Sequence, residues 1–156
     1  MGDRFTVHLS DLAATRALAA RLAPALRPGD AVLLEGPLGA GKSEFARALL
    51  RAATGDPALE VPSPSFTLVQ HYDLPQGAGT IWHFDLYRLR GPEELAELGW
   101  EEARQGIVLV EWPDRLGPLA PEGALRVALA PGAGEEERVA TLSGWPAERL
   151  RRVLAS

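Results

Sequence analysis

Strand-like stretches recur along the chain as short runs of apolar residues. Residues 5–9 alternate apolar and polar positions, whereas residues 107–110 are apolar throughout, which is typical of a strand buried on both faces. Turns rich in proline and glycine at residues 75–79 and 131–134 predict two antiparallel hairpins, because so short a connection cannot cross over to a parallel strand. The strands of these hairpins are predicted over residues 66–72 and 80–86, and over residues 125–129 and 139–142.

Helical spacing of apolar residues separates these strands. Ser10 is a suitable N-cap for a helix that continues to about residue 26. A second helix is predicted after residue 43, a third begins at Pro92 with acidic residues in its first turn, and a fourth covers residues 146–154. Helices interspersed with strands and two hairpins predict an α/β fold, with a mixed parallel and antiparallel sheet flanked by helices.

Composition narrows the class of protein. With 156 residues, 46% of them hydrophobic and 24% charged, residues 1–156 are expected to form a single globular domain. The absence of cysteine excludes disulfides and thiolate metal sites. No apolar run has membrane-spanning length and residues 1–5 do not resemble a signal peptide, so we expect a cytoplasmic protein without membrane contacts. A net charge of −5 argues against a large nucleic-acid footprint, so any RNA is expected to be held by a partner.

The stretch from Gly36 to Ser43 carries the strongest chemical signal. Its sequence, Gly-Pro-Leu-Gly-Ala-Gly-Lys-Ser, fits the Gly-x-x-x-x-Gly-Lys-Ser pattern of a phosphate-binding loop, and it follows the apolar run 31–34. In such a loop the glycines let successive backbone N–H groups face phosphate oxygens at a helix N-terminus. Lys42 is then expected to contact the outer phosphates, and the Ser43 hydroxyl is expected to bind Mg²⁺.

Lys42 is the only lysine among the 16 basic residues of the chain. Lysine therefore occurs at the one position where a compact ammonium, and not a planar guanidinium, has to fit among phosphates. The chain also has no asparagine, and so it lacks the Asn-Lys-x-Asp motif with which GTPases recognise guanine. The sequence predicts nucleotide binding without that mode of guanine recognition.

A phosphate-binding loop works with a carboxylate at the end of a neighbouring strand, which holds Mg²⁺ directly or through water. Two residues fit this position. Glu111 ends the buried run 107–110, and Asp85 lies near the end of the predicted strand 80–86. Because a glutamate there can also polarise the attacking water, the pattern leaves the division of these tasks between Asp85 and Glu111 open.

The proline-rich segment 61–67 is predicted to be a shaped loop and not an inner strand. Ser63, Ser65 and Thr67 give it three hydroxyl groups, which makes it the candidate sensor of the γ-phosphate.

Histidines and tryptophans carry weaker signals. His8, His71 and His83 are far apart and lack metal-ligand spacing, so we expect packing roles for them. Among the four tryptophans, Trp112 directly follows Glu111 and is the one expected to lie near the nucleotide.

Four motifs lie in order along the chain. They are Gly-Pro-Leu-Gly-Ala-Gly-Lys-Ser at 36–43, Ser-Pro-Ser-Phe-Thr-Leu-Val at 63–69, His-Phe-Asp-Leu-Tyr-Arg-Leu at 83–89 and Val-Glu-Trp-Pro at 110–113. Together these motifs resemble the TsaE (YjeE) family, the bacterial ATPases of tRNA threonylcarbamoyladenosine synthesis. The resemblance implies a Mg²⁺-dependent ATPase, weak alone, that acts with a TsaB–TsaD heterodimer and allows it multiple turnovers. It also implies contact with tRNA only through these partners, and a monomer or weak oligomer when alone.

The resemblance implies roles for individual residues. Ser43 and Glu111 would bind Mg²⁺, and Asp85 would support the metal and the water. The implied catalytic residues are Lys42, Asp85 and Glu111. Nucleotide contacts are implied for the phosphate-binding loop, the segment after it, the first helix and the late hairpin, namely at Leu12, Thr15, Gly36, Pro37, Leu38, Gly39, Ala40, Gly41, Lys42, Ser43, Glu44, Ser65 and Arg138.

The chain departs from the family pattern at four positions, and one of them is Glu137, an acid at the phosphate-side position before Arg138. Ser43 and Ser65 stand where the family usually has threonine, and each serine keeps the hydroxyl group. Glu44 replaces a small polar residue beside the phosphate loop. An acid directed inward there would repel phosphate, so we expect the Glu44 side chain to face solvent.

A small-molecule P-loop kinase is the main alternative function. Such kinases usually close an arginine-bearing lid over the transferred phosphate, and Arg88 and Arg90 are the nearest candidates, although neither lies in an obvious lid insertion. A nucleotide-dependent binding module without catalysis is the third possibility.

Overall fold

A computed structural model describes residues 3–62 and 68–155 of the chain. The strands in these residues are β1 (Phe5–Leu9), β2 (Ala31–Glu35), β3 (Val69–Asp73), β4 (Thr80–Asp85), β5 (Ile107–Glu111), β6 (Leu125–Pro131) and β7 (Arg138–Ser143). They form one seven-stranded sheet in the order β1-β7-β6-β2-β5-β4-β3.

Strand directions confirm the predicted mixed sheet. The pairs β2–β5, β2–β6 and β4–β5 are parallel, and the pairs β1–β7, β6–β7 and β3–β4 are antiparallel. Both predicted hairpins are therefore present, and the apolar run of β5 is an inner strand that is buried along its whole length. The carboxyl ends of β2, β4 and β5 meet at one edge of the sheet because these three neighbours run in the same direction.

The helices are α1 (Leu12–Leu22), α2 (Lys42–Thr54), α3 (Trp100–Ala103) and α4 (Ala147–Ala155). The predicted N-cap Ser10 is wrong by one residue: the carboxylate of Asp11 accepts a hydrogen bond of 2.8 Å from the Ala14 amide. The first helix also ends earlier than predicted, since α1 stops at Leu22 and a 3₁₀ turn follows over Ala23–Ala25. Pro24 within that turn cannot donate the backbone hydrogen bond that a longer α-helix needs.

The third predicted helix is two short pieces. Residues Pro92–Leu95 form a 3₁₀ turn, and α3 is a single turn that begins only after Gly99. Gly99 has a φ of +81°, a left-handed conformation that interrupts a right-handed helix.

The sheet has a hydrophobic core on each face. Helices α1, α2 and α4 pack on one face, where Phe45 and Leu49 of α2 are fully buried. The other face is covered by α3 and by the segments around Leu95 and Leu116. Within residues 3–62 and 68–155, no helix is long and apolar enough to cross a bilayer.

Candidate functional site

The Gly36–Ser43 segment connects β2 to the N-terminus of α2, which is the strand–loop–helix arrangement of a phosphate-binding loop. Gly36 has a φ of +144°, and a Cβ atom at this position would collide with the carbonyl oxygen of Leu129 on β6. Gly41 caps α2 with a φ of +97°, and a Cβ there would lie 3.3 Å from the Arg138 guanidinium. The loop therefore depends on glycine at both positions.

Lys42 is 6% exposed and its ammonium is held by protein groups. The Nζ atom donates a hydrogen bond to the Gly36 carbonyl and lies 3.3 Å from the centre of the Trp112 ring. Burial lowers the pKa of Lys42, while the nearby carboxylates of Glu111, Asp85 and Asp114 act in the opposite direction. Trp112 thus contacts a residue of the Gly36–Ser43 loop, and its place near a nucleotide stays a prediction.

A cavity of about 350 Å³ opens beside the loop and collects most of the predicted residues. Lys42, Ser43, Asp85 and Glu111 all border it, although they come from three separate stretches of the chain. Among the described residues, the lining consists of Leu38, Gly39, Gly41, Lys42, Ser43, Glu44, Asp85, Tyr87, Glu111, Trp112 and Arg138.

Asp85 and Glu111 are register partners on the parallel strands β4 and β5. Their side chains therefore lie side by side on the same face of the sheet, and they are 6% and 3% exposed, respectively. The Asp85 carboxylate also accepts a hydrogen bond of 3.1 Å from the Tyr87 amide, which orients it after the strand ends. Two buried acids next to an ammonium and a hydroxyl form a polar cluster inside an otherwise apolar sheet.

His83 belongs to this cluster, although we expected it to have only a packing role. Its Nε2 atom lies 2.7 Å from an oxygen of Glu111, and both side chains are almost fully buried. The other ring nitrogen, Nδ1, is buried without a hydrogen-bond partner among residues 3–62 and 68–155. The sequence did contain a signal, because His83 and Asp85 are two residues apart on one strand and so share a face.

Arg138 connects the loop to the β6–β7 turn. Its guanidinium donates to the carbonyls of Ala40 and Gly39, at 3.0 and 3.4 Å, and to the carbonyls of Glu135 and Glu137 within the turn, at 2.8 and 2.9 Å. Arg138 also borders the cavity, and its contact with a nucleotide stays a prediction. The four bonds direct its donors mainly to backbone oxygens, which makes it a support for the loop.

A smaller cavity of about 200 Å³ lies beside the first turns of α1 and shares Arg138 with the larger one. Leu12 and Thr15 border it, so the structure brings these two residues close to Gly41 of the phosphate-binding loop. The Thr15 hydroxyl is buried and has no hydrogen-bond partner in the part of the chain that the structure describes. Gly41, Glu44, Glu136 and Arg138 are the other described residues of the lining.

Glu44 differs from our expectation that it faces solvent. Its side chain is 34% exposed and borders both cavities. Arg47 contacts one carboxylate oxygen at 2.6 Å and Arg16 approaches the other at 3.5 Å. The two arginines offset the negative charge that would otherwise repel phosphate.

Some predicted residues lie elsewhere. Ser63, Ser65 and Thr67, the hydroxyls assigned to a γ-phosphate sensor, fall outside the described residues. Arg88 and Arg90, the candidate lid arginines of a kinase, are exposed and are absent from the described linings of both cavities.

The donor chemistry of the larger cavity suits Mg²⁺. Ser43, Asp85 and Glu111 offer oxygen atoms, which this cation prefers. Over the described ranges, no cluster of three or more His, Asp or Glu side chains could hold a metal by itself. Mg²⁺ commonly takes only one or two carboxylates and completes its coordination with water and substrate phosphates, so the residues present fit this ion.

The fold and the site together define an α/β protein with a strand–loop–helix whose loop has the sequence pattern of a phosphate-binding loop. Residues 9–140 match the family described as "Threonylcarbamoyl adenosine biosynthesis protein TsaE". The chain belongs to the TsaE family, as its motifs predicted, and membership supports a part in tRNA threonylcarbamoyladenosine biosynthesis.

Individual relatives agree with this assignment. The "tRNA threonylcarbamoyladenosine biosynthesis protein TsaE" of Rickettsia felis is 43% identical over 116 residues, which cover 74% of this chain and 66% of the relative, just under two thirds of its length. The protein of the same name from Bacillus subtilis is 34% identical over 131 residues, covering 83% and 78% of the two chains. The crystal structure of Bacillus subtilis YdiB superposes with a TM-score of 0.73 at 27% identity, covering 99% of this chain and 94% of that one. This likeness confirms the predicted fold class.

Proposed function

We propose that this protein binds ATP with Mg²⁺ in the larger cavity and hydrolyses it as a cytoplasmic subunit of tRNA threonylcarbamoyladenosine synthesis. In this proposal it acts with a TsaB–TsaD heterodimer and allows that heterodimer multiple turnovers. Membership of the TsaE family supports the pathway, and the geometry of the cavity supports the chemistry.

One observation carries the ATPase proposal. Asp85 and Glu111 are paired in register at the ends of β4 and β5, and both border the cavity of the Lys42 ammonium and the Ser43 hydroxyl. These residues can supply what a hydrolytic phosphate site uses: a cation for the phosphates, a hydroxyl and a carboxylate for the metal, and a polar group that orients the attacking water. Chance packing rarely buries two acids side by side, because desolvation and like-charge repulsion both oppose it.

Each residue has a separate task in the proposal. The backbone N–H groups of the loop bind phosphate oxygens, and the Lys42 ammonium contacts the outer phosphates. Ser43 and Glu111 hold Mg²⁺, which when bound neutralises charge on the phosphates. Asp85 orients the water that attacks the γ-phosphorus, so that the bond to the β-phosphate oxygen breaks and ADP and inorganic phosphate leave.

The smaller cavity is suited to the nucleobase. It adjoins the phosphate-binding loop at Gly41, and it is bordered by Glu44 and by Thr15, whose hydroxyl has no hydrogen-bond partner within the described residues. This hydroxyl can donate or accept, so it is suited to the polar edge of a base.

A partner surface is supported by the rim of the larger cavity. Leu38 at the tip of the loop is 72% exposed and Tyr87 after β4 is 45% exposed, and both border the cavity. Exposed apolar side chains at the mouth of a site are typical of a surface that another protein covers. A covering partner would also exclude water from the phosphates, which is the basis for expecting partner-stimulated hydrolysis.

The experiment is a multiple-turnover assay of tRNA modification with purified TsaB, TsaD and ATP–Mg²⁺, with and without this protein. We expect product beyond one equivalent of TsaB–TsaD only when the protein is present, with release of inorganic phosphate. The Lys42→Ala variant should fail to support those further turnovers. Unchanged turnover with Lys42→Ala would overturn the proposal, and phosphate transfer to a nucleoside or sugar would favour the kinase alternative.

A further inference from the structure

The contact between His83 and Glu111 is not explained by the proposed function alone. The two side chains are 3% and 4% exposed and are joined by the 2.7 Å contact from Nε2 to Oε2. In the β4–β5 register His83 is opposite Leu109, and Asp85 is opposite Glu111. His83 is therefore one pair deeper in the sheet than the two acids and on the same face.

This position separates His83 from the cavity itself. Glu111 borders the cavity, whereas His83 does not appear in the described lining. The ring thus contacts the carboxylate from the protein side and bonds one of its two oxygens, Oε2. The second oxygen, Oε1, is the one that this histidine leaves to other partners.

The hydrogen bond fixes the ring as well as the acid. As a metal ligand Glu111 would be an ionised carboxylate, which can only accept, so Nε2 would then be the donor. The Nδ1 atom is then buried without a partner in the described part of the chain, which costs free energy that the Nε2 bond has to offset. A hydrophobic side chain would avoid this cost if the position served packing alone.

We propose that His83 is a positioning residue that holds the Glu111 carboxylate in place for Mg²⁺. The inference rests on the proposed function, because it assumes that Glu111 binds the metal of a metal–ATP complex. Asp85 is directly opposite Glu111, so charges on both carboxylates would repel each other. A hydrogen bond donated by His83 lowers this electrostatic cost and also restricts rotation of the Glu111 side chain. Partners of metal-ligating residues commonly alter metal affinity by about 10- to 100-fold.

Three substitutions separate positioning from packing. His83→Leu keeps apolar bulk and removes the donor. His83→Gln places an amide N–H near the position of Nε2, whereas His83→Asn places one near the position of Nδ1 and cannot reach Glu111 in the same way. His71→Leu on the neighbouring strand β3 is the matched control, because that histidine is exposed and stacks on Trp82 at 4.9 Å between ring centroids.

Calorimetric titration of the full chain with ATP, once with Mg²⁺ and once with EDTA, gives the readout. We expect His83→Leu and His83→Asn to weaken binding of Mg²⁺–ATP at least tenfold and to leave binding of metal-free ATP within about twofold. His83→Gln should recover most of the loss, and His71→Leu should bind as the wild type does in both conditions.

Two results would overturn the inference. One is wild-type affinity for Mg²⁺–ATP in His83→Leu, and the other is an equal loss with and without Mg²⁺, which a damaged fold would produce. If His83→Leu does not fold, equal affinities of His83→Gln and His83→Asn for Mg²⁺–ATP would overturn it instead. Failure of the proposed function is distinguishable, because the wild-type protein itself would then bind no ATP in either condition.

Discussion

The ammonium of Lys42 lies 3.3 Å from the centre of the Trp112 indole ring, so the chain's only lysine makes a cation–π contact. Tyr87 packs against the same ring, with ring centroids 4.9 Å apart. Lys42 and Trp112 border not only the cavity at the phosphate-binding loop but also a second one of about 350 Å³. The indole is therefore in direct contact with the group that would receive phosphate.

Trp112 is expected to report nucleotide binding through its fluorescence. ATP bound as proposed would place negative charge beside Lys42 and alter the electrostatic field at the indole. Addition of ATP–Mg²⁺ should change the tryptophan emission of the wild-type protein, and Trp112→Phe should remove most of that change. Trp145→Phe is the control, because Trp145 is buried on the α4 side under Arg149. An equal response in wild type and Trp112→Phe would contradict the expectation.

Lys42 should make the free energy of unfolding vary with pH in the alkaline range. Burial lowers its pKa below the usual 10.5, so between the folded-state pKa and 10.5 the unfolded chain binds more protons than the folded chain. Unfolding free energy therefore rises with pH across that window, and below it the cost of burying the charge is fully present. Lys42→Met has no titrating group at this position, so its free energy of unfolding lacks this increase. Urea unfolding at several pH values up to 10.5 should show a free energy of unfolding that rises more with pH for the wild type than for Lys42→Met. The same pH dependence in both proteins would contradict this.

Gly36→Ala should destabilise the protein by more than replacement of a glycine with positive φ by alanine normally does. The added Cβ collides with the Leu129 carbonyl, so backbone strain and overpacking add together, at about 3 kcal/mol or more. Gly55→Ala is the matched control, since Gly55 has a φ of +72° with open space around it and should lose about 1 kcal/mol. Chemical denaturation measures both, and equal losses would show that the close approach to β6 has no effect.

Arg138→Ala should weaken ATP binding about tenfold, or about 1.4 kcal/mol. The substitution removes the bonds that join the carbonyls of Gly39 and Ala40 to the β6–β7 turn, and a looser loop loses preorganisation for phosphate. Arg152→Ala, which removes only an exposed ion pair with Glu148 on α4, should bind ATP as the wild type does. Calorimetry compares the two, and unchanged affinity in Arg138→Ala would show that the loop does not need this support.

The sheet was predictable because its signals are local. The continuous apolar run of β5 predicted an inner strand, and the short turns predicted antiparallel neighbours. Helix ends were less predictable. Ser10 and Asp11 are both good caps, and the choice between them depends on which side chain reaches the Ala14 amide. The short α3 depends on the left-handed Gly99, a backbone conformation that the sequence does not specify.

The site was predictable where a motif fixes the chemistry and less so where contacts are long-range. Lys42 and Ser43 follow from one motif, and Asp85 and Glu111 follow from their places at strand ends. The contact of His83 with Glu111 depends on the parallel register of β4 and β5, which no local pattern reveals. The bonds of Arg138 to the loop span nearly a hundred residues and could not be read from spacing.

The order of strands has a consequence for how the molecule opens. The sheet ends at β1 and β3, which are only partly buried, whereas β2 and β5 lie inside it and are almost wholly buried. Amide hydrogens on the outer strands should therefore exchange with solvent through local fraying, while those of β2 and β5 should exchange only when the whole chain unfolds. Lys42 directly follows the loop from β2 and Glu111 ends β5. Glu111 thus ends a strand that we expect to exchange slowly, and Lys42 is joined by one loop to the other such strand, so fraying at either edge should leave their relative positions unchanged.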